Sequence, residues 1–223
     1  MVAVLLYYIN FGVKVMDTYK TILDDVTTQF TEKHSRFIGY VAHTTTDEEA
    51  VAFIEKIRSI HSDAKHNVYA YVLNQDNRMR YSDDGEPHGT AGKPILDIIN
   101  GFELKDVTVV VTRYFGGILL GTGGLVRAYS KAAKDTLDFA DKYEMVPGVK
   151  LNISCDYAQF DSLLALLKNF DATVNSTKFQ DKIKVEFSVA EAVLEEFTAT
   201  LTETFSSALK TEKLGENYTK QKI

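Results

Sequence analysis

The segment Val149-Lys150-Leu151-Asn152-Ile153-Ser154-Cys155 decides the fold of the second half of the chain. Apolar side chains occupy every second position, and polar side chains fill the positions between them. A strand with one face against a core and the other in solvent has this period of two. The segment therefore predicts a half-buried β-strand. Cys155 lies on the apolar face, where a thiol behaves as a small hydrophobe.

The residues that follow this strand predict a complete small domain. A helix comes next, then a weaker strand at 172–178 and an alternating strand at 183–189. Ser188 and Glu191 have the spacing of a capping box that opens a second helix, and a last strand is expected at 213–218. The two helices carry apolar stripes: Phe160, Leu163, Leu164 and Leu167, then Leu194, Phe197, Leu201 and Phe205. The order β-α-β-β-α-β is the ferredoxin-like arrangement.

The first half of the chain predicts a second α+β domain. Strands are expected at 19–22, 37–43, 68–73 and 107–111 from their β-branched and aromatic content. Thr46 with Glu49 forms a capping box before a helix with the stripe Phe53, Ile54, Ile57 and Ile60. A short helix is expected at 95–99. The helix after a glycine-rich run has a buried face of Leu125, Ala128, Tyr129, Ala132 and Ala133.

The boundary between the two domains is expected in a polar turn at 142–148, which contains Pro147 and Gly148. The predicted division is 16–142 and 143–223. Residues 1–15 are apolar and carry Lys14 as their one charge, yet a membrane-spanning helix needs about 20 apolar residues. We interpret this extension as the product of an upstream start codon, with Met16 as the natural first residue. The alternative is an additional edge strand or anchor.

Composition restricts the classes of function. The chain has 223 residues and a formal net charge of −6, which argues against coating nucleic acid through bulk electrostatics. Any polyanion site must therefore be a local patch. One cysteine permits neither an intrachain disulfide nor a multi-cysteine zinc site. We expect a cytoplasmic protein with no membrane or disulfide partner, and predict no oligomeric state.

The glycine run at 115–125 is the first candidate site. It lies between a β-branched strand and a helix, so that free backbone amides and the positive helix end favour an anion. It lacks the lysine of a P-loop and the distant acid of a dinucleotide fingerprint. From 107 to 134 there are four cations and no acid. The predicted anion or nucleic-acid site comprises Arg113, Tyr114, Phe115, Gly116, Gly117, Gly121, Gly123, Gly124, Arg127, Lys131 and Lys134. The alternative is a glycine-rich turn shaped for tight packing.

The acidic loop at 81–86 is the second candidate site. Asp83, Asp84 and Glu86 are hard oxygen ligands that a Mg²⁺ ion accepts, although the same residues also make ordinary solvated turns. The surrounding motif residues are Arg80, Ser82, Gly85, Gly89, Thr90 and Gly92. His66 precedes a strand, and we interpret it as a hydrogen-bonded structural residue. No catalytic residue is predicted among His66, His88 and Cys155.

Both motifs together resemble the bacterial branch of the IMPACT family. The resemblance rests on Tyr81-Ser82-Asp83-Asp84-Gly85-Glu86-Pro87 with Gly89-Thr90-Ala91-Gly92, and on Arg113-Tyr114-Phe115-Gly116-Gly117 with Leu120-Gly121 and Gly123-Gly124-Leu125. It implies a first domain similar to the second domains of ribosomal proteins and a ferredoxin-like last domain. Eukaryotic relatives regulate translation during amino-acid starvation, partly through an extra domain for which this chain has no room.

Three functions follow as hypotheses. The first is a non-enzymatic, translation-associated protein that binds RNA, the ribosome or a translation factor. We predict no cofactor for it. The second is a Mg²⁺-dependent enzyme acting on a phosphorylated or nucleotide substrate, which requires the two motifs to converge in space. The third is a protein-interaction module that uses the C-terminal sheet, favoured if that sheet exposes a large apolar patch.

Overall fold

The computed structural model describes residues 16–222, so the interpretation of residues 1–15 lies outside the described residues. The chain divides into two compact units. One spans Tyr19–Glu144; the other comprises Met145–Gln221 and residues 16–18. Among residues 16–222, no helix is long and apolar enough to cross a membrane.

The first unit packs three helices against one five-stranded sheet. Its strands are β1 (Tyr19–Ile22), β2 (Val26–Glu32), β3 (Ser35–His43), β4 (His66–Val72), β5 (Met79–Ser82) and β6 (Val107–Tyr114). Its helices are α1 (Asp47–Ile60), α2 (Gly92–Gly101) and α3 (Thr122–Phe139). The strands β2 to β6 form this sheet in the order β2-β3-β6-β4-β5, and all neighbouring strands are antiparallel; β1 lies outside it.

Helices cover both faces of this sheet. On one face, Ile54 and Ile57 of α1 pack with Tyr71 and Val110. On the other face, α2 and α3 bury the larger core, in which Tyr129 meets Phe37 edge to face. The fully β-branched run of β6 is buried on both sides for this reason. Its last residues therefore lead directly from the centre of the sheet into the glycine run.

One of the two hydrogen bonds of the predicted capping box is present at the start of α1. The Glu49 amide donates to Thr46 Oγ1 at 3.2 Å, as predicted. The Glu49 carboxylate instead accepts from the amide of Thr45 at 2.7 Å. Hydrogen bonds to this carboxylate from the backbone and then the side chain of Thr45 lower the pKa of Glu49. The expected apolar stripe ends early, because Ile60 is the last helical residue and is exposed.

The second unit has the predicted β-α-β-β-α-β order. It comprises β7 (Lys142–Cys155), α4 (Tyr157–Asn169), β8 (Thr173–Phe179), β9 (Ile183–Ala190), α5 (Leu194–Thr204) and β10 (Thr211–Lys222). The strands are arranged β10-β7-β9-β8. Leu151, Ile153, Val185 and Phe187 pack against the two helices, and Cys155 is buried with them. The α+β fold class is confirmed.

Two local predictions in this half are wrong. The polar turn at 142–148 is part of β7, and Gly148 pairs with Ala190; a Cβ at Gly148 would lie 3.0 Å from the Val189 carbonyl and 3.1 Å from Thr219. The glycine thus permits close strand packing rather than a turn. Ser188 does not cap a helix. It lies in β9, and its hydroxyl accepts from the side-chain amides of Asn175 and Asn217 at 2.9 and 2.8 Å.

Candidate functional site

Asp83 is the first carboxylate of the acidic loop, and it organises the start of α2. Its oxygens accept the backbone N–H groups of Gly89, Ala91 and Gly92 at 2.8, 3.1 and 2.8 Å. The first amides of a helix lack partners within the helix, and the cap residue Ala91 has no side chain that could supply one. Asp83, nine residues before Gly92, therefore supplies the acceptor that caps α2.

Asp84 is held by a different set of donors. Its carboxylate accepts from Arg58 Nη2 at 3.1 Å and from the Asn67 amide at 2.6 Å. Its backbone lies in the left-handed region at φ 44°, and its carbonyl faces the imidazole of His66. Asp84 thus joins the acidic loop to α1 and to the start of β4.

Glu86 is the third carboxylate, and it forms a buried ion pair with Arg113. Their exposed fractions are 9% and 5%, and Arg113 Nη1 donates to Glu86 Oε1 at 2.6 Å. The Tyr129 hydroxyl donates to the same oxygen at 2.8 Å. Burial, reinforced by Glu86, raises the pKa of Tyr129, so that its hydroxyl stays a neutral hydrogen-bond donor.

These contacts direct the three carboxylates to three separate sets of protein donors. In the described part of the chain, no group of three or more His, Cys, Asp or Glu side chains is placed to hold a metal ion. The geometry therefore favours a structural role for Asp83 and Asp84 over the Mg²⁺ site that the sequence left open. His88, whose side chain is 96% exposed, lies 3.7 Å from Asp83 and apart from the buried pair.

His66 lies beside the ion pair in an orientation that its neighbours determine. Its Nδ1 is 2.7 Å from the Asp84 carbonyl, which can only accept, so Nδ1 carries the proton of the neutral ring. Nε2 is then an acceptor, 3.9 Å from Glu86 Oε1. His66 is 8% exposed and is paired in register with Arg113 across β4 and β6. His66 is therefore hydrogen-bonded, as predicted, and its Nε2 also faces the Glu86–Arg113 pair.

The other motif residues support the shape of the acidic loop. The Ser82 hydroxyl accepts from the Asp84 amide at 3.2 Å, and Thr90 Oγ1 donates to the Pro87 carbonyl at 2.6 Å. A Cβ at Gly92 would lie 2.7 Å from the Ser82 carbonyl. Gly85 and Gly89 have positive φ values. Arg80 lies away from this cluster, with Nε 4.0 Å from Asp47.

The glycine run combines tight packing with an open helix end. A Cβ at Gly116 would overlap the backbone of His34, so this glycine is required for packing. Gly117 and Gly121 have φ of 84° and 71° and open space around them. Gly121 precedes α3 and makes no side-chain cap, and the first helical bond runs from Leu125 N–H to the Gly121 carbonyl. The N–H groups of Thr122, Gly123 and Gly124 thus form the positive end of α3.

The aromatic residues of the motif have different surroundings. The Tyr114 hydroxyl donates to Asp63 at 2.8 Å and contacts His61, while Arg36 covers its ring at 4.5 Å. Phe115 is 48% exposed, and Leu119 at the tip of the run is 82% exposed. Of these two aromatic residues, Phe115 therefore has the ring that is more open to a ligand, although Arg113 Cζ lies 5.5 Å from its centre.

The basic face of α3 consists of Arg127, Lys131 and Lys134, all exposed. Lys131 pairs with Asp135 and Lys134 with Asp138, one turn further along the helix. Lys131 also lies 4.9 Å from the ring centre of Phe30. Asp135 and Asp138 lie directly after residues 107–134, which contain four cations and no acid. They offset two of the three charges, and none of the ion pairs in the described residues includes Arg127.

A cleft of about 420 Å³ lies where the acidic loop meets the glycine run. Its lining includes the buried side chains of His66, Glu86 and Arg113, which we call the floor, together with Lys65, Gly85 and Pro87. The remaining lining residues come from the glycine run and the start of α3, and we call them the wall: Phe115, Leu119, Leu120, Gly121, Thr122 and Leu125. The two sequence motifs therefore converge through Glu86, Arg113 and Gly121. Asp83, Asp84, Lys131 and Lys134 lie outside the cleft.

Lys65, Leu119, Leu120, Thr122 and Leu125 also line this cleft, although the sequence did not indicate them as site residues. Leu120 and Leu125 belong to the family motif. Their contribution to the cleft was recognisable only as part of that motif. Lys65 precedes β4 and carries no motif signal of its own.

Fold and site together define a two-unit α+β protein whose first unit carries a glycine-rich loop against a buried Glu–Arg pair. The family model described as "Impact N-terminal domain" matches residues 33–137, and a domain of unknown function, DUF1949, matches residues 153–208. The chain belongs to the IMPACT family.

Relatives from several bacteria support this assignment. An IMPACT family member of Haemophilus influenzae is 39% identical over 79% of this chain and 87% of the relative. YvyE of Bacillus subtilis is 34% identical over 84% of this chain and 87% of the relative. A crystal structure described as a hypothetical protein has a TM-score of 0.59 and 36% identity, covering 88% of this chain and 97% of its own.

Eukaryotic members share a smaller part. The protein named IMPACT in Mus musculus is 34% identical over 41% of this chain and 30% of its own length. The similarity therefore concerns less than half of either chain.

Proposed function

We propose that this protein is a non-enzymatic, translation-associated regulator that binds RNA through the basic face of α3. The resemblance to eukaryotic translation regulators supports the coarser part of this proposal. The choice of RNA over a ribosomal or translation-factor protein rests on charge and on an exposed aromatic ring. The cytoplasm is the compartment that this function implies.

The observation that carries the proposal is a groove of about 230 Å³ beside the start of α3. Lys33 of the β2–β3 turn, Arg127 and Lys131 line it, together with Gly124 and Phe30. We call it the basic groove. These three cations, of which Lys131 is also paired with Asp135, suit a phosphate backbone, since RNA affinity comes largely from neutralised phosphates. Glu32 is the one acid on its lining.

The half-exposed ring of Phe115, which lies outside the basic groove, offers a stacking surface for an RNA base. Stacking of an unpaired base on an aromatic ring contributes about 1–3 kcal/mol. Single-stranded RNA therefore fits this surface better than a duplex, whose bases are already stacked.

The C-terminal sheet gives the protein-interaction alternative no comparable support. On the sheet face that carries Lys150 and Glu186, an ion pair of 2.6 Å crosses β7 and β9, and Asn152 on the same face donates to Glu212. An interface core is depleted of charged residues and enriched in aromatic ones.

Charge reversal tests the proposal. In the Arg127→Glu, Lys131→Glu variant, co-sedimentation with ribosomes and binding of labelled single-stranded RNA should both be lost. The matched control reverses Lys178 and Lys184, which are exposed and paired across β8 and β9 in the other unit. If both variants bind RNA as the wild type does, the proposal is wrong. Loss of ribosome binding alone would identify a protein partner instead.

A further inference from the structure

The cleft between the acidic loop and the glycine run has an anion-binding end. Thr122 opens α3 and lines the cleft, and no side chain caps this helix end. Lys65, also on the lining, adds a positive charge, whereas Glu86 and Arg113 compensate one another on the floor. The helix end and Lys65 therefore leave the cleft positive.

Arg113 supplies an independent sign that a polar ligand belongs in this cleft. It lines the cleft and is 5% exposed, yet within the described residues its Nε has no hydrogen-bond partner. Its Nη2 reaches Ser35 Oγ only at 3.4 Å. A buried guanidinium usually has its donors satisfied, because an unmade bond in a buried group is costly. The Nε atom itself is fully buried, so an anion in the cleft would stabilise Arg113 through its charge and not through a bond to Nε.

His66 and Glu86 face one another in the cleft with no donor from residues 16–222 between them. His66 Nε2 and Glu86 Oε1 are both acceptors when the imidazole is neutral, and 3.9 Å separates them. Two facing acceptors are stabilised when a hydroxyl or ammonium donates to one of them. Glu86 Oε1 already accepts from Arg113 and Tyr129, so a ligand hydroxyl fits best at His66 Nε2.

The wall is apolar. Leu119, Leu120 and Leu125 line it, and Phe115 presents a half-exposed ring. A volume of about 420 Å³ is within the range of small-molecule sites. The ligand therefore needs an anionic group, a hydroxyl and a flat or apolar body.

We propose that this cleft binds a ribonucleoside monophosphate group. Its phosphate lies on the amides that open α3, a ribose hydroxyl donates to His66 Nε2, and the base stacks on Phe115. The group is either a free mononucleotide or the phosphorylated end of an RNA strand. The cations of the basic groove do not line the cleft, although Leu120 lines both and the ring of Phe115 is shared with the RNA proposal.

Titration of the full chain with adenosine 5′-monophosphate tests this proposal by calorimetry and by amide NMR. We expect saturable binding with a Kd of about 1 mM or tighter. The shifted amides should be those of Thr122, Gly123 and Gly124, with the ring signals of His66 and Phe115. Adenosine and ribose 5-phosphate, which lack the phosphate and the base, should bind more weakly. Absence of saturation at about 10 mM, or shifts confined to Lys33, Arg127 and Lys131, overturns the proposal.

A charge change at the helix end provides the matched variants. Thr122→Asp places a carboxylate where the phosphate would lie, and acidic residues at this position stabilise a helix. We expect it to keep its fold and to weaken binding of the monophosphate about tenfold or more, whereas Thr122→Asn stays within about twofold. Equal affinity of the Asp and Asn variants contradicts the proposal.

Two further experiments distinguish a free nucleotide from the end of an RNA strand, and the cleft from the basic groove. An RNA oligonucleotide with a 5′-phosphate should compete with adenosine 5′-monophosphate if strand ends are bound, and fail to compete if the free nucleotide is the ligand. Equal competition by the 5′-hydroxyl oligonucleotide overturns recognition of the phosphate. The Arg127→Glu, Lys131→Glu variant should retain nucleotide binding, because neither residue lines the cleft, so its effect on RNA alone distinguishes a failure of one proposal from a failure of the other.

Discussion

Arg113 Nη1 lies 2.6 Å from Glu86 Oε1, and both side chains are more than nine-tenths buried. The pair connects the acidic loop to the central strand of the first sheet, and Tyr129 of α3 donates to the same oxygen. One carboxylate therefore joins both sequence motifs to the core.

This pair predicts strong energetic coupling. Glu86→Gln should lower the free energy of unfolding by about 3 kcal/mol, because it leaves a buried guanidinium without its counter-charge. Combining it with Arg113→Met should cost much less than the sum of the single changes. Urea unfolding of the four proteins measures the coupling free energy, which we expect to be about 2 kcal/mol or more. Additive effects would show that the pair is not a unit.

Gly116 predicts a packing defect. Gly116→Ala should destabilise the first unit by about 2 kcal/mol, since the added methyl group overlaps the backbone of His34. Gly101 ends α2 with nothing within 4 Å of an added Cβ, so Gly101→Ala is the control. Thermal melts compare them. A neutral Gly116→Ala would mean that the β2–β3 turn moves aside freely.

Asp83 predicts loss of a helix cap rather than loss of a metal site. Asp83→Ala removes the acceptor for three amides at the start of α2 and should cost about 2 kcal/mol of stability. Asp97→Ala, which loses one exposed pair with Lys93 on the same helix, should cost well under 1 kcal/mol. Chemical unfolding in the presence and absence of Mg²⁺ separates the two roles. A midpoint that rises with Mg²⁺ in the wild type but not in Asp83→Ala would restore the metal interpretation.

Sequence reasoning identified the elements whose signal is local. The alternation at 149–155 and the apolar stripes of α3 and α4 are patterns of neighbours, and the corresponding elements are present. The strand β2 was not predicted, because it lies at the edge of its sheet and carries mostly polar residues.

The failures concern contacts between distant residues. Ser188 and Glu191 have capping-box spacing, but the partners that decide the role of Ser188 are Asn175 and Asn217 on other strands. In the candidate site, the pairing of Glu86 with Arg113 was likewise invisible, since no periodicity relates them. The neutralisation of Lys131 by Asp135 follows the i,i+4 rule and was recognisable from the sequence.

His61 predicts a dependence of stability on pH. Burial and then Arg36 lower the pKa of His61 from 6.5, with Asp63 opposing. Its ring contacts the hydroxyls of Tyr40 and Tyr114. The unfolded chain therefore takes up this proton at a higher pH than the folded chain. The free energy of unfolding should fall as the pH drops from about 7 to about 5.

Urea unfolding at both pH values, in the wild type and in His61→Gln, measures this contribution. Glutamine cannot titrate, so its variant should lose less stability on acidification. The remaining histidines are common to both proteins and cancel in the comparison. An identical loss in the two proteins would contradict the account of His61.

The most direct test of RNA binding by the basic groove is the salt dependence of the affinity for single-stranded RNA. Each neutralised phosphate should contribute about −0.7 to the slope of log K against log salt. For the wild type we expect a clearly negative slope, and for Arg127→Glu, Lys131→Glu a slope shallower by about 1.4, with much weaker binding. A wild-type affinity that does not change with salt, or equal slopes for the two proteins, would contradict the central claim.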